Sequence, residues 1–314
     1  VFSGNIASQE GRQDIKVWSV EPPVPVNIRM YRCDQTFVLE PLENMTQTKE
    51  LFGLIVLDNR DATIGLLKGK SIDEVDIILK IFKNEVGIGK VLIDVGAHFG
   101  TTLIPFAQKG WTVYAFEPDP NNRAKLITQT DDFQTVKIDI RAVSNTTGDT
   151  VSLFTSNISS GITSMSAFHE SHKESLQVKT VRLNDFCNEN NIEKIDFLKI
   201  DTEGFDLFVL KGFDWENQRH PDFIITEFED LKTTPLGYSF LEQAQYLTDR
   251  GYKILISEWH PIIEYGHRHL WFRFLTDPKL VTNPKAWGNI VACKSENFEK
   301  LKKIAKKIGK IVEN

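Results

Sequence analysis

The chain has 314 residues, of which 41% are hydrophobic and 25% charged, with a formal net charge of −6 and three cysteines, Cys33, Cys187 and Cys293. This is ordinary globular usage over a length that suits about two domains, which excludes disorder, collagen and coiled coil. Apolar runs are cut by Lys, Asp or Glu well short of the roughly 18 residues that span a bilayer, and cysteines so few and so far apart build neither a disulfide framework nor a paired-cysteine zinc site.

A reducing, cytoplasmic setting is expected on that ground. The chain opens on Val1 with no basic and apolar leader pattern, and a start inside a longer gene product is expected. Residues 294–314 carry seven Lys against three Glu, and residues 1–72 carry eight basic against nine acidic side chains, so the negative charge concentrates in the middle. An acidic middle argues against a nucleic-acid groove there, because phosphate binding needs a basic stripe.

Up to about residue 72 the chain shows β-like runs punctuated by proline: residues 26–31, 37–39 and 51–57, after Pro22, Pro23 and Pro25. Beyond it, helix and strand alternate. Val75, Ile78, Leu79 and Phe82 are helically spaced, and residues 91–95 form a short apolar run of the buried parallel kind. A helix over 101–109, a strand over 112–116 and a helix over 121–130 follow. Strands are then predicted over 136–143 and 150–154, joined by the turn Asn145-Thr146-Thr147-Gly148, and over 195–200, 223–227, 252–256 and 289–293. Alternation of this kind predicts an α/β, doubly wound, mostly parallel sheet.

In such a sheet ligands sit beyond the carboxyl ends of the strands, so the residues following each strand carry the chemistry. The first loop reads Asp94-Val95-Gly96-Ala97-His98-Phe99-Gly100. Its glycines allow a tight turn and close backbone approach, and a helix N-terminus follows; a plain tight connection would use the same residues. The second strand ends at Glu117, where a carboxylate can accept bonds from both hydroxyls of a ribose. His98 stands where a dinucleotide-binding fingerprint has its second glycine, which argues against a pyrophosphate and for a mononucleoside cofactor such as S-adenosylmethionine. The third loop is Lys199-Ile200-Asp201-Thr202-Glu203-Gly204, placed where a methyl acceptor would lie. Its structural alternative is that Asp201 caps the next helix and Lys199 pairs with Glu203.

Together with Ala115-Phe116-Glu117-Pro118, Ala142-Val143-Ser144 before Gly148, and Val209-Leu210-Lys211-Gly212, these loops resemble the FkbM family of S-adenosylmethionine-dependent methyltransferases, over about residues 75–295. The resemblance implies a Rossmann-like, seven-stranded, mostly parallel sheet and O-methylation of a hydroxyl on a sugar, glycan or related small-molecule acceptor. By that reading Gly96, Ala97 and Gly100 contact the methionine part, Asp94 orders the loop or holds the amino group, and Glu117 takes the ribose. Arg141 or Ala142 borders the adenine. His98 departs from the Asn usual in such families. Asp201 or Glu203 is the candidate base, with Lys199 as an orienting cation. No metal site is assigned, although a divalent metal acting through these carboxylates stays open.

His260, His267, His269 and Trp271 suit an acceptor pocket, as imidazoles and an aromatic face suit sugar rings; the alternative is ordinary half-buried surface. His169 and His172 read as solvated residues of a polar loop or short helix. Leu301, Ile304, Ile308 and Ile311 share one face of a basic helix, predicted over 299–314, which fits either packing on the sheet or peripheral contact with an anionic membrane.

Residues 1–72 carry a second, unrelated resemblance. Glu21-Pro22-Pro23, Tyr31-x-Cys33-x-x-x-Phe37, residues 52–58 and residues 62–70 are similar to class 1 peptide-chain release factors of the archaeal and eukaryotic type. The match covers the end of a codon-reading domain and the opening hairpin of the next. The chain has no Asn-Ile-Lys-Ser loop and no Gly-Gly-Gln loop, so peptide release is rejected. Three units are expected: 1–72, incomplete and β-rich; 73–298, the methyltransferase domain; and 299–314, the basic helix. The competing functions are an RNA- or ribosome-binding fragment acting through Tyr31, Cys33 and Phe37, and an oxidoreductase on the same fold.

Overall fold

A computed structural model describes residues 74–216, 219–263 and 269–313, together with the backbone of four short strands before them. The chain divides into two units, Val1–Ser71 and Ile72–Asn314. The first holds two antiparallel hairpins, β1 (Phe2–Asn5) with β2 (Ile15–Trp18) and β3 (Leu51–Leu57) with β4 (Ala62–Lys68). The expected runs at 26–31 and 37–39, and Tyr31, Cys33 and Phe37 with them, lie outside the described residues.

The second unit is built on one sheet. It comprises β5 (Val91–Val95), β6 (Thr112–Phe116), β7 (Val136–Asp139), β11 (Phe197–Ile200), β12 (Phe223–Glu229), β13 (Lys253–Trp259), β14 (Trp271–Leu275), β15 (Trp287–Cys293) and β16 (Ile311–Val312). Their spatial order is β16-β14-β13-β15-β12-β11-β5-β6-β7, nine strands among the described residues rather than the expected seven. Strands β5, β6, β7, β11 and β12 run parallel, and β15 is inserted antiparallel between β12 and β13. The two additional strands extend the edge beyond β13. The last of them arises because the chain turns at Gly309, where the Trp271 ring fills the place of a Cβ, and Ile311 leaves helical spacing to pair with Phe274.

Both faces of the central strands are buried, which explains their continuous apolar runs. Along β11, Leu198 and Ile200 enter one core with Ile93, Val95 and Ile224. Phe197 enters the opposite core with Leu92, Val113, Phe223 and Ile225. Leu301 and Ala305, on the helix Phe298–Ala305, are fully buried in that second core, with Ile304 and Ile308 packed against it. The apolar face of the basic tail is therefore spent on the sheet and is not open to a lipid surface. No helix among the described residues is long and apolar enough to cross a membrane.

A small second sheet accounts for another departure from expectation. The predicted strand over 136–143 breaks at Asp139, whose carboxylate accepts from both the backbone N–H and the guanidinium of Arg141. Beyond the break β8 (Ala142–Val143) leaves the main sheet and pairs with β10 (His172–Val181), which also pairs with β9 (Thr150–Ser156). His172 thus opens a strand instead of lying in a solvated loop, and its half-buried imidazole bonds to the Ile162 carbonyl. The helix predicted over 101–109 is reduced to Ile104–Ala107.

The helix Phe240–Thr248 starts in a capping box, Ser239 with Glu242, which satisfies two otherwise free N–H groups. Ser239→Ala is expected to lower stability by about 1 kcal/mol, read as a small fall in the urea midpoint with an unchanged slope.

Candidate active site

The loops that follow β5, β6, β7, β11 and β12 meet around a cavity of about 440 Å³, within the size range of small-molecule sites. Gly96 carries a φ of +81°, and a Cβ there would stand 1.9 Å from the Asp201 carbonyl oxygen, so only glycine lets the β5 and β11 loops touch. The Gly96 and Ala97 N–H groups donate to the Phe116 carbonyl, locking the first loop to the end of β6.

Glu117 is 4% exposed and lines the cavity. One of its oxygens accepts from the His98 N–H at 2.8 Å and the other from the Asp119 N–H at 2.9 Å. Each oxygen keeps a lone pair, so the group still suits a pair of vicinal hydroxyls. Burial pushes this carboxyl up to about 7 against the pull of those two N–H groups.

His98 adopts a φ of +50°, a region in which Asn and His are enriched among non-glycine residues. Its Nε2 lies 2.9 Å from Ser160 Oγ and its ring stacks on Phe99, so the residue ties the glycine loop to the 159–164 segment across the cavity mouth. Burial lowers the pKa of this imidazole. Ser160→Ala is expected to weaken cofactor binding less than tenfold, about 1 kcal/mol for one neutral hydrogen bond, as measured by calorimetric titration.

The other expected cofactor residues divide. Arg141 and Ala142 line the cavity, the Arg141 guanidinium being held by Asp139 at 2.7 Å and Glu189 at 2.8 Å. Ala97 turns into the core, and a Cβ on Gly100 would meet Leu126 Cδ1 at 2.7 Å, so these two serve packing beneath the loop. Asp94 is fully buried under it, 3.4 Å from the Lys199 ammonium.

Asp201, beside the glycine loop, also lines the cavity, with Thr202, Glu203, Glu227 and Lys232. Lys199 pairs with Asp201 at 3.2 Å, not with Glu203. Asp201 caps nothing: the helix Asp206–Lys211 begins after Phe205 with no side-chain cap. Its first residue, the buried Asp206, instead accepts from Thr202 Oγ1, Thr226 Oγ1 and the Glu227 N–H, clasping the ends of β11 and β12 together. Glu203 has a φ of +55°, a strained conformation that costs of order 1 kcal/mol and that marks functional sites. Burial raises Glu203 to about 7 and raises Glu227 as well. Carboxylate oxygens of Asp201, Glu203 and Glu227 lie within 4.8 Å of one another, a spacing that suits a cation.

Among the described residues of the expected acceptor set, only His269 lines the cavity, 4.9 Å from the Trp287 ring, which lines it too. His260 is exposed, bonded through its backbone to Leu270 and Trp287. Trp271 bonds to Ser257 and packs on the core, and His267 lies outside the described residues. Sequence reasoning missed Glu227, Lys232, Trp287 and Ser160. The signal for Glu227 was a charged residue at the end of an apolar strand.

Comparison with known proteins agrees with this geometry. A family model described as the methyltransferase FkbM domain matches residues 94–254, about half the chain, including the cavity-lining loops after β5, β6, β7, β11 and β12. The fold and the site define a methyltransferase of the Rossmann-like class. The chain belongs to the FkbM family of S-adenosylmethionine-dependent methyltransferases.

A second model, eRF1 domain 1, matches residues 1–47. Peptide chain release factor subunit 1 of Thermococcus kodakarensis is 38% identical over 126 residues, covering 35% of this chain. The chain spans about 30% of that relative's length. Similar solved structures include an rRNA methylase from Streptococcus thermophilus, at 10% identity and a TM-score of 0.38, covering 70% of this chain and 93% of that one. Another is the magnesium protoporphyrin IX methyltransferase of Synechocystis, at 12% identity and a TM-score of 0.34, covering 70% and 78%.

Proposed function

We propose that the Ile72–Asn314 unit transfers a methyl group from S-adenosylmethionine to a hydroxyl of a sugar, glycan or related small-molecule acceptor. The observation that carries the cofactor half is Glu117, a buried carboxylate facing the cavity beside a glycine loop that a Cβ would block. The bound cofactor would supply an electrophilic methyl on a sulfonium. Gly96 and His98 would hold its methionine end, Glu117 the ribose hydroxyls, and Arg141 with Ala142 the base. What is left to the chain is alignment of the acceptor oxygen and removal of its proton, the first worth up to roughly 7 to 11 kcal/mol in the best intramolecular models. Asp201 or Glu203 takes that proton, and Lys199 orients Asp201 at 3.2 Å.

The acidic lining of the acceptor end supports an uncharged or cationic acceptor over a phosphodiester, since Asp201, Glu203 and Glu227 face the cavity there. The aromatic wall of Trp287 and His269 suits a sugar face. The buried free thiols of Cys187 and Cys293 accord with a reducing, cytoplasmic setting. Transfer of labelled methyl from the cofactor to a panel of glycosides and glycolipids tests the reading. Labelling of RNA instead would overturn the acceptor class.

A second reading concerns the Val1–Ser71 unit, where the match to release-factor domain 1 favours contact with ribosomal RNA. Deleting residues 1–71 should abolish ribosome co-sedimentation if that is so, and leave methyl transfer intact.

A further inference from the structure

Lys232 is 2% exposed, yet its neighbour Leu231 is 62% exposed, an inversion of the usual order for these side chains. The reason is the company it keeps. Its ammonium lies 2.5 Å from Glu203 Oε2, 3.1 Å from Glu227 Oε2 and 2.9 Å from Glu229 Oε2. Three carboxylates from two different strand ends therefore converge on one cation, and a fourth, Asp201, lies within 4.8 Å of two of them.

Carboxylates gathered so closely repel one another, and in proteins the usual remedy is a hard divalent cation bound through oxygen. The fold supplies a tethered ammonium instead, and several local features exist to deliver it. The short helix Asp230–Thr233 follows β12 directly, so Lys232 folds back over Glu227 and Glu229. Gly204 sits beneath it with a φ of +104°, and a Cβ there would come within 3.1 Å of Lys232 Cβ. Glu203 reaches the ammonium only through its left-handed backbone, which is held by Ser164 Oγ donating to the Glu203 carbonyl and Tyr238 Oη donating to that of Gly204.

We propose that the Lys232 ammonium occupies the seat that a divalent cation takes in a carboxylate cradle, and so positions Glu203 and Glu227 toward the acceptor without added metal. The consequence for methyl transfer rests on the function proposed above; the cation seat itself does not. Lys232 is a positioning residue, and its effect is electrostatic and replaceable.

The test uses the full chain and manganese alone as probe, followed by electron paramagnetic resonance of free Mn²⁺. The wild-type protein should bind no stoichiometric Mn²⁺ at millimolar concentration. Lys232→Met should bind one equivalent, at least tenfold more tightly than wild type, and the added change Glu227→Gln should abolish that binding. Lys232→Arg, which restores a cation, should be silent like the wild type; a merely structural role for Lys232 would not produce this pattern. One equivalent of Mn²⁺ bound by the wild-type chain would overturn the proposal, and that measurement needs no variant to fold. A Lys232→Met protein that keeps its near-ultraviolet dichroism yet binds no Mn²⁺ would overturn it equally. Titration of S-adenosylhomocysteine into the wild type reports separately on the methyltransferase reading: manganese behaviour as expected with no cofactor binding would leave the seat standing and remove that reading alone.

Discussion

Glu117→Ala is expected to weaken S-adenosylhomocysteine binding by about 100-fold or more. Two ribose hydroxyls donating to one ionised acceptor are each worth about 1.5–3 kcal/mol, offset in part by water that refills the site. The substitution also strips the His98 and Asp119 N–H groups of their acceptor, so the glycine loop loses a support as well as the ligand. Because burial holds this carboxyl up at about 7, its charge state changes within the working range. Hydroxyl donors favour the ionised form, so affinity should rise between about pH 6 and pH 8, by up to tenfold per unit below the pKa. Glu117→Gln should flatten that dependence. The sign reverses for the unliganded protein. A carboxyl raised from 4.5 to about 7 binds its proton more tightly folded than unfolded, so this group's contribution to stability declines as pH climbs through that window. Calorimetric titrations at pH 6, 7 and 8 check the first sign, and urea midpoints across pH 4.5–7.5 check the second.

Gly96→Ala should cost at least about 3 kcal/mol and abolish cofactor binding. A φ of +81° already penalises any L side chain by about 1–2 kcal/mol, and the added methyl would stand 1.9 Å from a backbone oxygen. That oxygen cannot retreat easily. The Asp201 N–H donates to the Val95 carbonyl at 2.9 Å, and β5 and β11 are locked in register directly before it, up to Ile200 opposite Val95. Gly148→Ala is the control: its φ is +86°, but nothing lies within 4 Å of a Cβ there, so only the backbone penalty of about 1–2 kcal/mol should appear. Paired urea denaturation curves separate the two effects.

The central sheet was legible because strands buried on both faces announce themselves as unbroken apolar runs, as at Val91–Val95 and Phe197–Ile200. Glu117 was legible too, since an acidic residue directly after such a run has few structural uses. Strand β10 was not: it exposes Lys173, Glu174, Ser175, Gln177 and Lys179, and its buried residues are too sparse to form an apolar run. Strand β16 hid inside a helical spacing that Gly309 interrupts. The acidic part of the cavity was only half visible. Asp201 and Glu203 stood in a recognisable loop, but a lysine in Asp230-Leu231-Lys232 reads as surface, and nothing local reveals that three carboxylates draw it inside. Buried ion pairs are made between distant segments and leave no periodic trace in either one.

The measurement that bears most directly on the account is calorimetric titration of S-adenosylhomocysteine, with a nicotinamide dinucleotide alongside, into the full chain at pH 7.5. The account predicts one equivalent of the first bound with micromolar affinity and no heat from the second. A folded chain that ignores S-adenosylhomocysteine, or one that binds the dinucleotide in its place, would contradict it.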